Sequence, residues 1–77
     1  MTDSTKFRAV TKRHDKRFWE VAAALGMSPQ SLYNKLGNAC EFTQTEMAKF
    51  RELFPDVTDQ EFKEIFFAEK LAAEANV

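Results

Sequence analysis

The stretch from Ala22 to Leu36, AAALGMSPQSLYNKL, decides the fold of this 77-residue chain. Gly26 follows a run of helix-forming residues, at the place where a helix commonly ends with a positive φ. Ser28 is a preferred N-cap, and Pro29 after it suits the first position of a helix. The stretch therefore predicts two helices joined by a three-residue turn at 26–28.

The helix before this turn presents one apolar face. Its members recur at i, i+3, i+4 and i+7, the spacing of a buried helical face. They are Phe18, Val21, Ala22 and Leu25. Asp15 precedes them as the expected N-cap, so this helix should run from about 15 to 25. After the turn, Leu32 and Leu36 should point inward, and Gly37 and Asn38 should end the second helix.

Three more helices complete the predicted fold, an all-α, five-helix compact bundle in one domain of residues 1–77. Two Gly and two Pro are too few for a turn-rich β fold. The first helix spans about 4–14. The fourth begins at Thr43 and the fifth at Thr58, each with a Glu three residues later that completes a capping box. The C-terminal helix should cover about 58–75.

The net charge of −1 hides an asymmetry between the two halves of the chain. Residues 1–40 carry seven basic and three acidic groups, whereas residues 41–77 carry four basic and nine acidic ones. Such polarity indicates a basic face for a polyanion and an acidic face turned away from it. An ordinary solvated helix surface explains the same numbers equally well.

Several classes of function are not expected. Cys40 is the sole cysteine and His14 the sole histidine, so we expect no disulfide, metal site or cofactor. No spacing of Ser, His and Asp suggests a nucleophile with its base, and we expect neither an enzyme nor a small-molecule substrate. No apolar run indicates a signal peptide or a membrane span. A cytoplasmic, nucleoid-associated protein is the expectation.

A helix, a three-residue turn with Gly and a second helix form the geometry that sets two helices at a steep angle. The pattern Ala22-x-x-x-Gly26 followed by Leu32 resembles the Cro/C1-type helix-turn-helix family, and Leu25–Leu36 is similar to its recognition helix. The resemblance is most specific over 18–37. It implies a lambda-repressor-like DNA-binding domain with its helix-turn-helix core at about 15–37.

Other segments, Glu41–Thr43 and Glu64–Phe67, look like those of small phage regulators of Gram-positive hosts. The resemblance therefore implies a phage or prophage transcription regulator that reads double-stranded operator DNA by placing its third helix in the major groove. The residues that it assigns to base readout are Gln30, Ser31, Tyr33 and Asn34. The residues that it assigns to phosphate contacts are Arg17, Ser28, Lys35 and Asn38.

The chemistry of these side chains suits such a role. Gln30 and Asn34 can each make two hydrogen bonds to adenine, and Tyr33 can touch a thymine methyl group. One departure is Phe18, which stands where many members of the family carry a phosphate-binding Gln. Arg17 or Lys16 is the expected substitute, and we expect modest, salt-dependent binding.

The fifth helix carries apolar residues on two sides. At 100° per residue, Phe62 and Phe66 share one side, whereas Phe67 and Leu71 lie almost opposite, beside Glu64. One helix cannot bury both sides on a small bundle, so we expect an interface of Phe67, Leu71 and Glu64 with a second copy or a phage repressor. A kink in this helix, or cover by the N-terminal arm, is the alternative.

A rival hypothesis follows from this second face. The chain would be a protein-interaction module of the same fold, which binds and modulates a phage repressor as an anti-repressor does and has little DNA binding of its own. The charge asymmetry favours DNA as the partner. The single basic residue of the third helix, Lys35, favours a protein.

Overall fold

The computed structural model describes residues 1–68, which form five α-helices and no strand. The helices are α1 (Ser4–Arg13), α2 (Phe18–Ala24), α3 (Pro29–Leu36), α4 (Gln44–Leu53) and α5 (Asp59–Phe66). The all-α prediction is thus confirmed for the described part of the chain.

The starts of three helices are fixed by side chains that the sequence identified. The side-chain oxygens of Ser28, Thr43 and Thr58 each accept a 3.1 Å hydrogen bond from the backbone N–H three residues later. The carboxylate of Glu46 accepts a 2.9 Å hydrogen bond from the N–H of Thr43, which completes the capping box at the start of α4. Pro29 occupies the first position of α3, as predicted.

Helices α1, α2 and α3 end in the same backbone conformation. A residue with left-handed backbone follows each helix: Asp15 (φ 55°), Gly26 (φ 77°) and Asn38 (φ 65°). The next N–H then bonds to the carbonyl five residues earlier, as in the Schellman motif. These bonds are Lys16 to Thr11 (2.9 Å), Met27 to Ala22 (3.0 Å) and Ala39 to Asn34 (2.9 Å). The chain therefore reverses sharply after each of the three helices.

One expectation about these ends was wrong, and one was confirmed. Asp15 is not the N-cap of α2, because its left-handed backbone closes α1 instead, and the N-cap is Arg17. Helix α3 ends at Gly37 and Asn38 as expected, where Gly37 is the C-cap with a φ of −82° and Asn38 adopts the positive φ. Asn tolerates this conformation because its short polar side chain can bond locally.

A cluster of phenylalanine rings forms the centre of the core. Phe7 from α1 lies 5.0 Å from Phe50 of α4 and 6.1 Å from Phe66 of α5, measured between ring centroids. Phe42, in the segment before α4, lies 5.8 Å from Phe7. The predicted inward residues Val21, Ala22, Leu25, Leu32 and Leu36 are all buried. Phe18 is only partly buried.

The N-terminal arm is tied to two distant parts of the chain. The side chain of Asn38 binds the backbone of Thr2 on both sides, accepting from its N–H at 2.8 Å and donating to its carbonyl at 3.3 Å. The N–H of Asp3 donates to the carbonyl of Ile65 at 2.7 Å. The arm thus joins the end of α3 to the end of α5.

Helix α5 is shorter than the predicted C-terminal helix. It ends at Phe66, and Phe67 follows in a non-helical conformation (φ −127°, ψ 37°). The expected inner side is confirmed, since Ile65 and Phe66 are buried and Phe62 packs against the core. Leu71 and the predicted helix up to Ala75 lie outside the described residues. Each helix of residues 1–68 is too short or too polar to cross a bilayer.

The left-handed backbone of Gly26 makes this position sensitive to any side chain. We expect Gly26→Ala to lower the free energy of unfolding by about 1–2 kcal/mol, because a Cβ strains this conformation. Gly37→Ala is the matched control, since its φ is negative and the new Cβ would meet only ordinary contacts of 3.5 Å and longer. Urea denaturation followed by circular dichroism measures both; equal losses would contradict the assignment.

Candidate DNA-binding surface

Helices α2 and α3 form one packed unit around their short connection. Ala22, Leu25 and Leu32 are each no more than 1% exposed, so the inner faces of both helices are sealed. The ammonium group of Lys49 on α4 lies against the connection, 3.1 Å from where a Cβ of Gly26 would be. A positive charge near the C-terminal end of α2 is electrostatically favourable.

The outward face of α3 displays polar groups. Gln30 and Tyr33 are exposed and Asn34 is partly buried. The Gln30 amide donates to the Asn34 carbonyl oxygen over 3.0 Å, so the two predicted readout amides lie side by side, one helical turn apart. Tyr33 is 61% exposed. This face can therefore offer donors, acceptors and a ring edge to a ligand.

The hydroxyl groups of Ser28 and Ser31 lie within hydrogen-bonding distance of one another at the start of α3. Ser28 caps the helix through its hydroxyl oxygen, which also lies 3.1 Å from the Ser31 hydroxyl. Both hydroxyls keep hydrogen-bonding capacity, because each oxygen has one donor and two lone pairs. The predicted roles of Ser28 and Ser31 are compatible with this arrangement and stay predictions.

The charge of Lys35 is paired with a carboxylate within the fold. Its ammonium group bonds to both carboxylate oxygens of Glu46, one at 2.7 Å, and both side chains are about 15% exposed. It also lies 5.9 Å from the centre of the Phe42 ring. Desolvation raises the pKa of Glu46, but hydrogen bonds from Lys35 and Thr43 and the charge of Lys35 outweigh it, so the pKa lies below its usual value. A phosphate would have to compete with this pair for Lys35.

The side chain of Asn38 is also occupied within the fold, because the oxygen and the nitrogen of its amide both bond to the backbone of Thr2.

Arg17 differs from Lys35 and Asn38 in this respect. Its side chain is exposed at the N-cap of α2 and has no carboxylate partner among residues 1–68, while its backbone N–H donates to Glu20 at 3.3 Å. Of the charged phosphate contacts predicted, Arg17 is the one whose charge the described fold leaves available.

A cluster of charges joins α1 to α5. Arg13 donates to Glu61 at 3.0 and 3.1 Å and to Asp56 at 2.9 Å, and these contacts, led by the Glu61 hydrogen bond, raise its pKa. His14 Nε2 lies 2.6 Å from the other oxygen of Asp56. The pKa of Asp56 is lowered, because its hydrogen bonds and these two basic groups outweigh desolvation. Arg13 therefore neutralises acidic groups of the fold.

The predicted protein interface is only partly described. Glu64 accepts from Gln60 at 3.3 Å and lies 3.7 Å from the ammonium group of Lys6. Phe67 is 40% exposed and lines an open groove of about 420 Å³. The groove also contacts Thr2, Asn38, Cys40, Phe42 and Phe66. Leu71 lies outside the described residues, so the interface stays a prediction.

The sequence left the burial of Trp19 open and gave no sign of a contact made by Arg8. Trp19 on α2 is 61% exposed. A helical count from the buried Val21 would have placed it outward, since Trp19 is two positions away. Arg8 lies over the ring of Phe18, with its guanidinium carbon 5.3 Å from the ring centre. Nothing local in the sequence indicates that contact.

Among residues 1–68, no group of three His, Cys, Asp or Glu side chains is arranged to hold a metal ion. Comparison of the chain with family models, with curated proteins and with solved structures gives no significant match.

The Lys35–Glu46 pair should be visible in the acid stability of the fold. Because the pKa of Glu46 is lowered in the folded state, its ionised form stabilises the fold at neutral pH, and this contribution is lost as the pH falls through the folded-state pKa. Glu46→Gln keeps an acceptor for the cap but has no charge, so its free energy of unfolding should fall less between about pH 5 and 2. Denaturant titrations across that range measure it.

Glu52→Gln on the same helix is the control, because Glu52 is exposed and has no ion pair within residues 1–68. Its acid profile should follow that of the unsubstituted protein. A Glu46→Gln profile as steep as the control's would show that the pair contributes nothing measurable.

Proposed function

We propose that the chain is a sequence-specific, double-stranded DNA-binding transcription regulator that reads its operator through α3 in the major groove. The observation that carries the proposal is the outward face of α3, where the side chains of Gln30, Tyr33 and Asn34 make no hydrogen bond to another element of the described residues.

The dimensions suit this role. An α-helix such as α3 is about 10–12 Å across with its side chains, and the major groove, about 12 Å wide, admits it. The Gln30–Asn34 hydrogen bond orients both amides in the free protein. On DNA, each amide can exchange this bond for two bonds to an adenine edge, while the Tyr33 ring reaches a neighbouring thymine methyl group.

The wider role follows from the resemblance described above. A Cro-like regulator of a phage or prophage acts in the bacterial cytoplasm, on the nucleoid, and binds as a homodimer to two half-sites about one helical turn apart. Dimerisation raises the overall affinity for DNA even when each subunit binds weakly, because the second subunit meets its half-site at a high effective concentration. This matters here, since Lys35 is already paired with Glu46.

Base readout by α3 is tested by removing its amides one at a time. We expect Gln30→Ala and Asn34→Ala each to weaken binding to a duplex selected from a random pool by about 1–3 kcal/mol, which is about 5- to 150-fold. Because both residues are outside the core, the midpoint of thermal unfolding should change little. Fluorescence anisotropy of the labelled duplex and circular dichroism measure the two quantities.

Gln44→Ala is the matched control, since Gln44 is an exposed glutamine at the first turn of α4. It should bind the selected duplex like the unsubstituted protein. If selection enriches no sequence, or if both α3 variants bind as tightly as this control, α3 is not the reader.

A second candidate is the protein-interaction module that binds a phage repressor. The exposed Trp19 and Phe67 favour it, because large aromatic residues are frequent anchors of protein interfaces. The commitment of Lys35 to Glu46 favours it too, since α3 then offers no unpaired cation to DNA. A protein that shifts no duplex by itself, but does so or releases DNA with a repressor present, would support this candidate over the first.

A further inference from the structure

The cations of the chain divide into two groups by their partners. Residues 1–68 contain ten Lys and Arg side chains. Four of them are paired with carboxylates: Lys6, Arg13, Lys35 and Arg51. Six have no carboxylate partner within these residues: Arg8, Lys12, Lys16, Arg17, Lys49 and Lys63. Four of these six lie between positions 8 and 17.

Helix α1 separates its own charges in the same way. Lys6 and Arg13 lie on the side that faces α5, where Glu64 and Glu61 neutralise them. At 100° per residue, Arg8 and Lys12 fall on a different side of α1, within about 40° of one another. The acidic second half of the chain thus neutralises one side of α1 and leaves the other side basic.

The basic side of α1 meets the start of α2. Arg8 and Lys12 line a small cleft of about 140 Å³, whose apolar walls include Phe7, Phe18 and Val21. The guanidinium group of Arg8 lies over the Phe18 ring, a cation–π contact that restricts the Arg8 side chain without neutralising its charge. Arg8 is therefore held in place with its hydrogen-bond donors still free.

Lys16 and Arg17 extend the same surface along the connection to α2, and both are exposed. Two carboxylates, Asp15 and Glu20, are their neighbours in the sequence. Glu20 is directed to the backbone N–H of Arg17 at 3.3 Å, and Asp15 has no ion pair within residues 1–68. Four cations against two carboxylates leave this end of the molecule basic.

We propose that Arg8, Lys12, Lys16 and Arg17 form the surface that contacts the DNA phosphate backbone, with Phe18 as the residue that positions Arg8. This inference rests on the proposed function and deepens it. It keeps Arg17 and Lys16, which were expected from the sequence, and adds Arg8 and Lys12 of α1 in place of Lys35 and Asn38, which are engaged by Glu46 and Thr2. Arginine suits this task because its planar fork matches a phosphate group.

Arg8 and Lys12 share a cleft with Phe18 and Val21 of α2, and Lys16 and Arg17 directly precede that helix in the sequence. Because α2 packs against the proposed reading helix α3, a phosphate backbone is favoured over an acidic protein as the partner of these cations. Phosphate contacts are independent of base sequence, so they can be tested on DNA of any sequence. This makes the inference testable without knowledge of the operator.

The experiment measures how the affinity for a mixed-sequence duplex depends on salt. Each phosphate contact contributes about −0.9 to the slope of log K against log salt concentration. We expect Arg8→Ala/Lys12→Ala to reduce the magnitude of that slope by about 1.8, and Lys12→Ala alone by about 0.9. Lys63→Ala is the matched control, because it removes an exposed, unpaired lysine from α5 and should leave the slope unchanged.

A second set of variants tests the role of Phe18. Phe18→Leu keeps an apolar side chain in the cleft but removes the ring beneath Arg8. We expect Arg8→Ala to cost less affinity in the Phe18→Leu background than in the unsubstituted protein, while Lys12→Ala costs the same in both. Thermal unfolding by circular dichroism ensures that only folded variants are compared.

The possible outcomes separate the two proposals. Loss of slope in the α1 variants but not in Lys63→Ala supports the inference. Equal effects in all variants, or none, overturn it and leave base readout by α3 standing. Failure of the unsubstituted protein to bind any duplex at low salt overturns both proposals. Tighter binding of poly-glutamic acid than of duplex DNA, at equal charge concentration, reassigns the surface to an acidic protein partner and overturns the inference.

Discussion

The structure depends on the packing of Phe7 against rings from three other parts of the chain. Helices of seven to ten residues are too short to persist in water by themselves. Their stability comes from the apolar faces that they share, and Phe7 is where α1, α4, α5 and the segment at Phe42 meet. Each of the sharp turns after α1, α2 and α3 serves to return the next helix to this centre.

This dependence explains which parts of the fold could be predicted from the sequence. Caps and turns are local, so Ser28, Thr43, Thr58 and Gly26 were identified from their neighbours. The inner faces followed from helical spacing for the same reason. Asp15 was misassigned because one short acidic residue suits both an N-cap and a left-handed turn, and only the bonds around it distinguish the two.

The candidate surface was less predictable, because its state depends on pairs of distant residues. The sequence identifies Lys35 as a basic residue of α3. That Glu46 of α4 forms an ion pair with it is known only from the packing of α4 in the structure. Asn38 serves the N-terminal arm over a separation of 36 residues. The outward direction of Gln30 and Tyr33 was predictable from helical spacing, whereas the stacking of Arg8 on Phe18 depends on how α1 crosses α2.

The bond from Asp3 to the carbonyl of Ile65 also bears on the order of events during synthesis. Helix α1, which is synthesised before the other described helices, completes its contacts only when one of the last described residues has emerged. Until then α1 lacks both Phe66 and this backbone partner, and the part of its apolar side that packs on α5 is exposed to solvent. The domain should therefore become compact in one late step, after translation has passed α5, and an incomplete chain should be a good substrate for proteases.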